Sequence, residues 1–442
     1  MNTSGLSLES IPELKIPMGF FLTAPWFGIL AALLLLFNPE IMNSRWHPAM
    51  LAMVHLLTLG FGAMIMVGAM IQILPVVSSQ PVPAAAALSP WIRAGLISGT
   101  LCLALGFLFM QKISYYIALP LLVGAFLLFL SAVGVALVRV QKGSDSVFCL
   151  RLAALCLLIT VVFGCLQLST YLELSWVGYS FERTNNHVLL GLLGWGMLLI
   201  MGVSFQVIPM FHVAPAFPHW LSRGNSTFLA LALMTSVIAS GSIADSALLV
   251  LTLTLSIYGA YSLYLIYRRK RKLVDYTIRF WQLAFTNLIL LCLLFFLHQM
   301  GFQILNEVGQ FHLLLGFGFG LGFVISVMLG MLQKITPFLM FLHLQRACIH
   351  DPGAFMKLPN MKQLLPVSDS KWQFQLYSSA LVTLYLSFFG GELQHPLLFV
   401  AAVLFLLSFT WLLKTLWQAN RRYSESLPLT PDQPLAGKET CE

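Results

Sequence analysis

The chain has 442 residues, of which 59% are hydrophobic and only 9% charged, with a formal net charge of +8. Soluble chains carry roughly 25% charged residues, so an ordinary soluble domain is excluded. No phosphate loop, dinucleotide fingerprint or nucleophile–histidine–acid set is present, and nothing suggests a nucleic-acid partner.

Apolar runs of about 20 residues, the length that crosses a bilayer as a helix, recur from end to end. They lack the alternation of a membrane barrel, so the expected fold class is an all-α polytopic membrane protein with the lipid bilayer as its first partner. Residues 1–16 carry Glu9, Glu13 and Lys15 but no basic stretch and no small-residue cleavage site, so they are expected to be a short tail before a retained first span. The hydropathy pattern predicts twelve spans, at 17–37, 47–76, 91–110, 113–138, 149–171, 186–211, 226–243, 246–267, 278–302, 308–341, 373–390 and 396–417. The connections are short except for 77–90 and 343–371. Residues 17–419 thus form one transmembrane domain, and 420–442, rich in Ser, Pro and Thr, form a tail expected to be disordered. The seven cysteines are scattered without a Cys-x-x-Cys pair and read as small core hydrophobes.

An even number of spans puts both termini on one side, and the basic residues choose which. Only Arg45, Lys112 and Arg183 fall on the odd-numbered loops; the other 21 of 24 Lys and Arg lie with the termini or the even loops, including Arg268 to Lys272. By the positive-inside rule both termini are expected in the cytoplasm, in a bacterial-type inner membrane. The odd loops instead hold Glu40, Glu173, Glu182, Asp245, Glu307 and Glu392.

One stretch occurs three times, on spans 2, 6 and 10: His55 to Pro75, His187 to Pro209 and His312 to Pro337. Each opens with a histidine, has a glycine four or five residues later (Gly60, Gly191, Gly316), and closes on a Gly-x6-Pro frame. The frames are Gly68/Pro75, Gly202/Pro209 and Gly330/Pro337, with Gln72, Gln206 and Lys334 at the fourth position. Copies four spans apart divide the chain into three units of four helices, about 17–140, 147–267 and 277–419, suited to a pseudo-threefold arrangement. On the expected topology all three histidines lie at the outer end. Six of the ten histidines, His47, His55, His187, His298, His312 and His395, fall near that face.

Ionisable groups at membrane depth usually face a bundle interior or cavity, and imidazole is the usual axial ligand of haem iron and a good one for copper. His55, His187 and His312 are therefore the candidate metal ligands. The offsets from the shared glycine, 13, 15 and 18 residues, do not select a pair. Arg45 and Arg183 lie beside them and suit carboxylates such as haem propionates, or act as interfacial anchors. Lys334 either snorkels to the headgroups or begins a polar path with Gln333 and Thr336.

A helix reading His-x4-Gly-x7-Gly-x6-Pro resembles helices 6 and 10 of haem–copper oxidase catalytic subunits, closest to the cbb3-type and nitric-oxide-reductase branch. The chain also resembles NnrS-type haem/copper membrane proteins. His55–Gly60–Gly68–Pro75 follows that spacing, with two extra residues in the second copy and five in the third. The resemblance implies an oxidase subunit I-like bundle of twelve helices with a haem held by His55 and His312, and His187 as a candidate for a second haem or for copper. The family's copper site also draws a histidine pair from helix 7, and span 7 here has none. No Asp or Glu lies within a span to deliver protons. The expected function is therefore electron transfer or nitric-oxide, haem or copper handling in respiration, beside a cytochrome or respiratory-complex subunit, without a complete oxygen-reducing centre. The alternatives are a cofactor-free secondary transporter with twelve helices and an assembly factor for a respiratory complex.

Overall fold

The computed structural model describes residues 11–141, 143–174, 178, 180–302, 310–349 and 351–427. Most of the N-terminal tail, Glu307, and the C-terminal tail from residue 428 lie outside the described residues. The described chain is helical with no strand. The principal helices are α1 (Lys15–Phe37), α2 (Pro48–Ser78), α3 (Ala85–Phe109), α4 (Lys112–Arg139), α5 (Asp145–Tyr171) and α6 (Phe181–His212). They continue as α7 (220–238), α8 (Ser242–Tyr267), α9 (Tyr276–Gln299), α10 (Phe311–Ala347), α11 (Val367–Ser387) and α12 (Gln394–Ser426). Ten of these, all but α7 and α11, are long and apolar enough to cross a membrane. The protein is therefore a multi-pass helical membrane protein. The α-helical part of α7 is only 13 residues long, and α11 opens on a polar run with Asp369, Lys371, Gln373 and Gln375.

Helix starts follow local chemistry. Ser144, Ser180 and Asp275 accept backbone N–H groups at the heads of α5, α6 and α9. Two expected boundaries shift. The stretch 77–90 is shorter as a connection, because α2 runs to Ser78 and α3 starts at Ala85. The helical part of the C-terminal segment extends to Ser426, so residues 420–426 belong to α12 rather than to a disordered tail. The long polar connection 343–371 contains two short helices, Pro352–Lys357 and Met361–Leu364, the second started by a capping box between Asn360 and Gln363.

The repeated stretch is legible in the backbone. In α2, α6 and α10 an eight-residue π-helical segment interrupts the α-helix, at Leu56–Ala63, Leu190–Met197 and Gly318–Ile325. Each starts twelve residues before its frame glycine, Gly68, Gly202 or Gly330, and ends five before it. From the start of the π segment the copies therefore align without a gap. In that register the partners of Gly60 are Gly194 and Gly322, which corrects the Gly191 and Gly316 expected from counting forward of the histidines. The two and five extra residues fall between histidine and π segment: His55 stands one residue before it, His187 three and His312 six.

Close packing explains why these glycines recur. Each repeated helix lies against the helix before it, and a Cβ at the paired glycines would collide with that neighbour. At Gly60 and Gly68 it would stand 2.2 Å from Phe27 and 2.8 Å from Phe20 of α1; at Gly194 and Gly202, 2.7 Å from Cys156 and 2.9 Å from Cys149 of α5. At Gly322 and Gly330 it would stand 2.4 Å from Asn287 and 2.7 Å from Phe280 of α9. The three neighbours thus present contacts seven residues apart to glycines eight apart.

The helices α2, α6 and α10 also touch one another pairwise. Met66 of α2 packs over Gly196 of α6, and Met328 of α10 packs over Gly62 of α2, each methyl 3.8 Å from the position a Cβ would take. Both contacts join the same two positions of the repeat, so the packing is cyclic. Outside this centre α4 packs on α5, α8 on α9, and α12 on α1. The frame prolines stay inside their helices, which continue to Ser78, His212 and Ala347.

Candidate functional site

At the histidine end of the bundle α2 and α6 bring two imidazoles together. The rings of His55 and His187 are 6.5 Å apart between centroids and 22° from parallel. Nδ1 of His55 lies 2.7 Å from the Leu51 carbonyl one turn earlier, and Nδ1 of His187 lies 3.1 Å from the Thr160 carbonyl of α5. A carbonyl only accepts, so in both rings Nδ1 carries the proton and Nε2 keeps the lone pair. This is the tautomer in which a histidine ligates a metal while its other nitrogen is held.

The surroundings fix both rings. His187 is seated against α5 at Gly164, where a Cβ would stand 3.2 Å from its Cε1. His55 faces Phe107 of α3 at 5.2 Å, and Phe107 meets Tyr115 and Tyr171 at 5.6 and 5.4 Å. Tyr115 is buried, and its hydroxyl has no protein partner. Both histidines are partly buried and tightly flanked. Nothing in the sequence marked Thr160, which acts through a backbone carbonyl. Gly164 and Phe107 were single residues in apolar helices and carried no pattern.

The other expected residues lie around this pair. Arg45 donates to Asn185 Oδ1 at 2.9 Å and stands 4.5 Å over the Trp46 ring, tying the segment before α2 to the start of α6. Trp46 in turn packs edge-on against Phe181. Arg183 donates to the Gly178 carbonyl at 2.8 Å. His312 is exposed and sits with Phe311, whose ring packs 4.4 Å from His298. The structure therefore brings His55 to His187, where the resemblance paired His55 with His312. The reason is register. Five residues of extra helix lift His312 about 7.5 Å relative to His55, against about 3 Å for the two before His187. His47 stands just before α2 and has a buried Nδ1 without a protein partner; His395 is exposed.

Among the described residues no three His, Cys, Asp or Glu side chains are grouped so as to hold a metal ion.

Compared with known proteins, the chain matches no family model and shows no similarity to a curated protein. The class that the fold itself defines is a multi-pass, all-helical membrane protein with a paired-histidine site at one end of a repeated helix packing.

Proposed function

We propose that the chain is a haem-binding membrane protein of the haem–copper oxidase subunit I-like type. In this reading twelve helices span an inner membrane, both termini are cytoplasmic, and the histidine end faces outward. The observation that carries it is the His55–His187 pair. Their ring centroids lie 6.5 Å apart with the planes 22° from parallel, so the two side chains would line one site between α2 and α6. Both Nδ1 groups are bonded to carbonyls, which leaves the Nε2 atoms as ligands.

His55 and His187 would hold the iron, and when bound the haem supplies a one-electron couple. The protein's own residues do the rest. The Leu51 and Thr160 carbonyls fix the tautomers and raise the basicity of both rings. The Phe107, Tyr115 and Tyr171 cluster limits water at His55, while Arg45 and Arg183 offer guanidinium donors to propionate carboxylates. His312 lies on the exposed side of the same end, where it suits contact with a partner cytochrome or respiratory-complex subunit. Electron transfer is favoured over oxygen reduction, because among the described residues no three-histidine copper set accompanies the pair.

The test is the reduced-minus-oxidised spectrum of the protein purified in detergent after haem-replete expression, with metal analysis on the same sample. A Soret band with about one iron per chain is expected. Its absence refutes the reading.

A further inference from the structure

The opposite end of the bundle carries a second polar centre that does not depend on haem. There α6 ends on His212 and α10 presents Lys334. The rings of Phe211 and Phe338 pack 5.1 Å apart and hold these two helix ends together. The loop after α8 closes on the same place, since the Lys270 N–H donates to the Val213 carbonyl at 3.0 Å. Asp275 at the head of α9 pairs with Lys334 at 2.7 Å.

This centre is neither neutral nor satisfied. Lys334 and Arg269 give two cations to one carboxylate, and Asp275, Lys334 and Arg269 all act electrostatically on His212. His212 is only 3% exposed, yet neither ring nitrogen has a protein partner. The Nε of Arg269 is also buried and unpartnered, although its Nη1 donates to the Ile266 carbonyl. A buried polar group without a partner costs about 1–3 kcal/mol, and an unbalanced charge costs more. Lys334 and Asp275 remain about a quarter exposed, so a solute reaches the cluster from the surface.

We propose that this centre binds one oxyanion of the phosphate class, seated between His212, Arg269 and Lys334. Such an anion neutralises the excess charge and accepts from the free Arg269 Nε–H, the His212 N–H and the ammonium together. The same chemistry is offered by free phosphate and by the headgroup of an anionic phospholipid. The exposed Arg268, Lys270, Arg271 and Lys272 flank Arg269 in the chain, and their positive charge attracts either.

The experiment uses the full chain, stripped of lipid in an uncharged detergent. Its thermal midpoint is titrated with sodium phosphate, with sodium chloride of matched ionic strength, and with a short-chain phosphatidylglycerol. A saturable rise is expected with phosphate, with the lipid, or with both, and not with chloride. A rise with phosphate alone identifies a free anion, and a rise with the lipid alone a headgroup. His212→Phe and Arg269→Gln each weaken the apparent affinity by about tenfold or more. Arg269 lies in the loop beyond α8, so its variant serves if His212→Phe does not fold. Kosmotropic stabilisation is unsaturable and indifferent to these substitutions. No saturable rise with either probe, or unchanged affinity in the variants, overturns the proposal.

Discussion

Gly322→Ala separates the structural register from the one counted from the histidines. An added Cβ would stand 2.4 Å from both Asn287 Nδ2 and the Tyr385 hydroxyl oxygen, and 2.6 Å from Asn287 Cγ. Asn287 is 7% exposed and works in both directions: its Nδ2 donates to the Gly318 carbonyl at 2.8 Å, and its Oδ1 accepts from Tyr385. Gly318 opens the π segment, where the wider turn frees carbonyls for outside donors. Displacing Asn287 loses two hydrogen bonds and strands buried polar atoms, together about 2–4 kcal/mol. The better helix propensity of Ala returns about 1 kcal/mol, leaving a net loss of about 1–3 kcal/mol. Gly316→Ala meets nothing within 4 Å and should gain up to about 1 kcal/mol from propensity alone. Thermal unfolding in detergent can be followed by the reaction of a fluorogenic thiol dye with buried Cys149, Cys156 and Cys292. Equal effects of the two substitutions, or a greater loss from Gly316→Ala, would refute the register.

Three more outcomes follow from named contacts. Burial alone would raise the Asp275 carboxyl, but the Lys334 ammonium and the Thr277 N–H hold it below the ordinary carboxylate value. Its contribution to stability is therefore present above that ordinary value and lost as pH falls through the lower, folded one. The stability difference between the wild type and Lys334→Met should accordingly be largest near neutral pH and shrink in acid; a difference that grows on acidification contradicts the pairing. Tyr258 is fully buried and shares a 2.8 Å hydrogen bond with Ser204, so Tyr258→Phe should cost about 1 kcal/mol in the same unfolding assay. Gly164→Val should push the His187 ring off the Thr160 carbonyl and change the visible spectrum of the folded protein, whereas Gly134→Ala, in open space on α4, should leave it unchanged.

Much of the scaffold could be read from the sequence because its signals are local. Bilayer-length apolar runs and the Gly-x6-Pro frames specify where helices run and which of them are equivalent. Gly68, Gly202 and Gly330 carry that equivalence because a single Cβ at any of them collides with the preceding helix. The site was less legible. Its candidate residues His55 and His187 were found from their place at the heads of the repeat, but their pairing was not. Whether two histidines meet depends on both rotation and height along the helix, and each inserted residue turns the helix by about 100° and lifts it about 1.5 Å. The π segments hold the register from Leu56, Leu190 and Gly318 onward, and the histidines lie before it, where the copies differ in length. The His212 centre was hidden for a related reason. Lys334 was visible as a charge in an apolar helix, but its partner Asp275 is 59 residues away and belongs to a loop.

The most direct test of the central claim replaces each histidine of the repeated helices by alanine in turn and compares reduced-minus-oxidised spectra at equal protein concentration. The paired site predicts that His55→Ala and His187→Ala each abolish or shift the Soret band, while His312→Ala leaves it intact. A band that survives both of the first two substitutions, or that is lost only with His312→Ala, would contradict it.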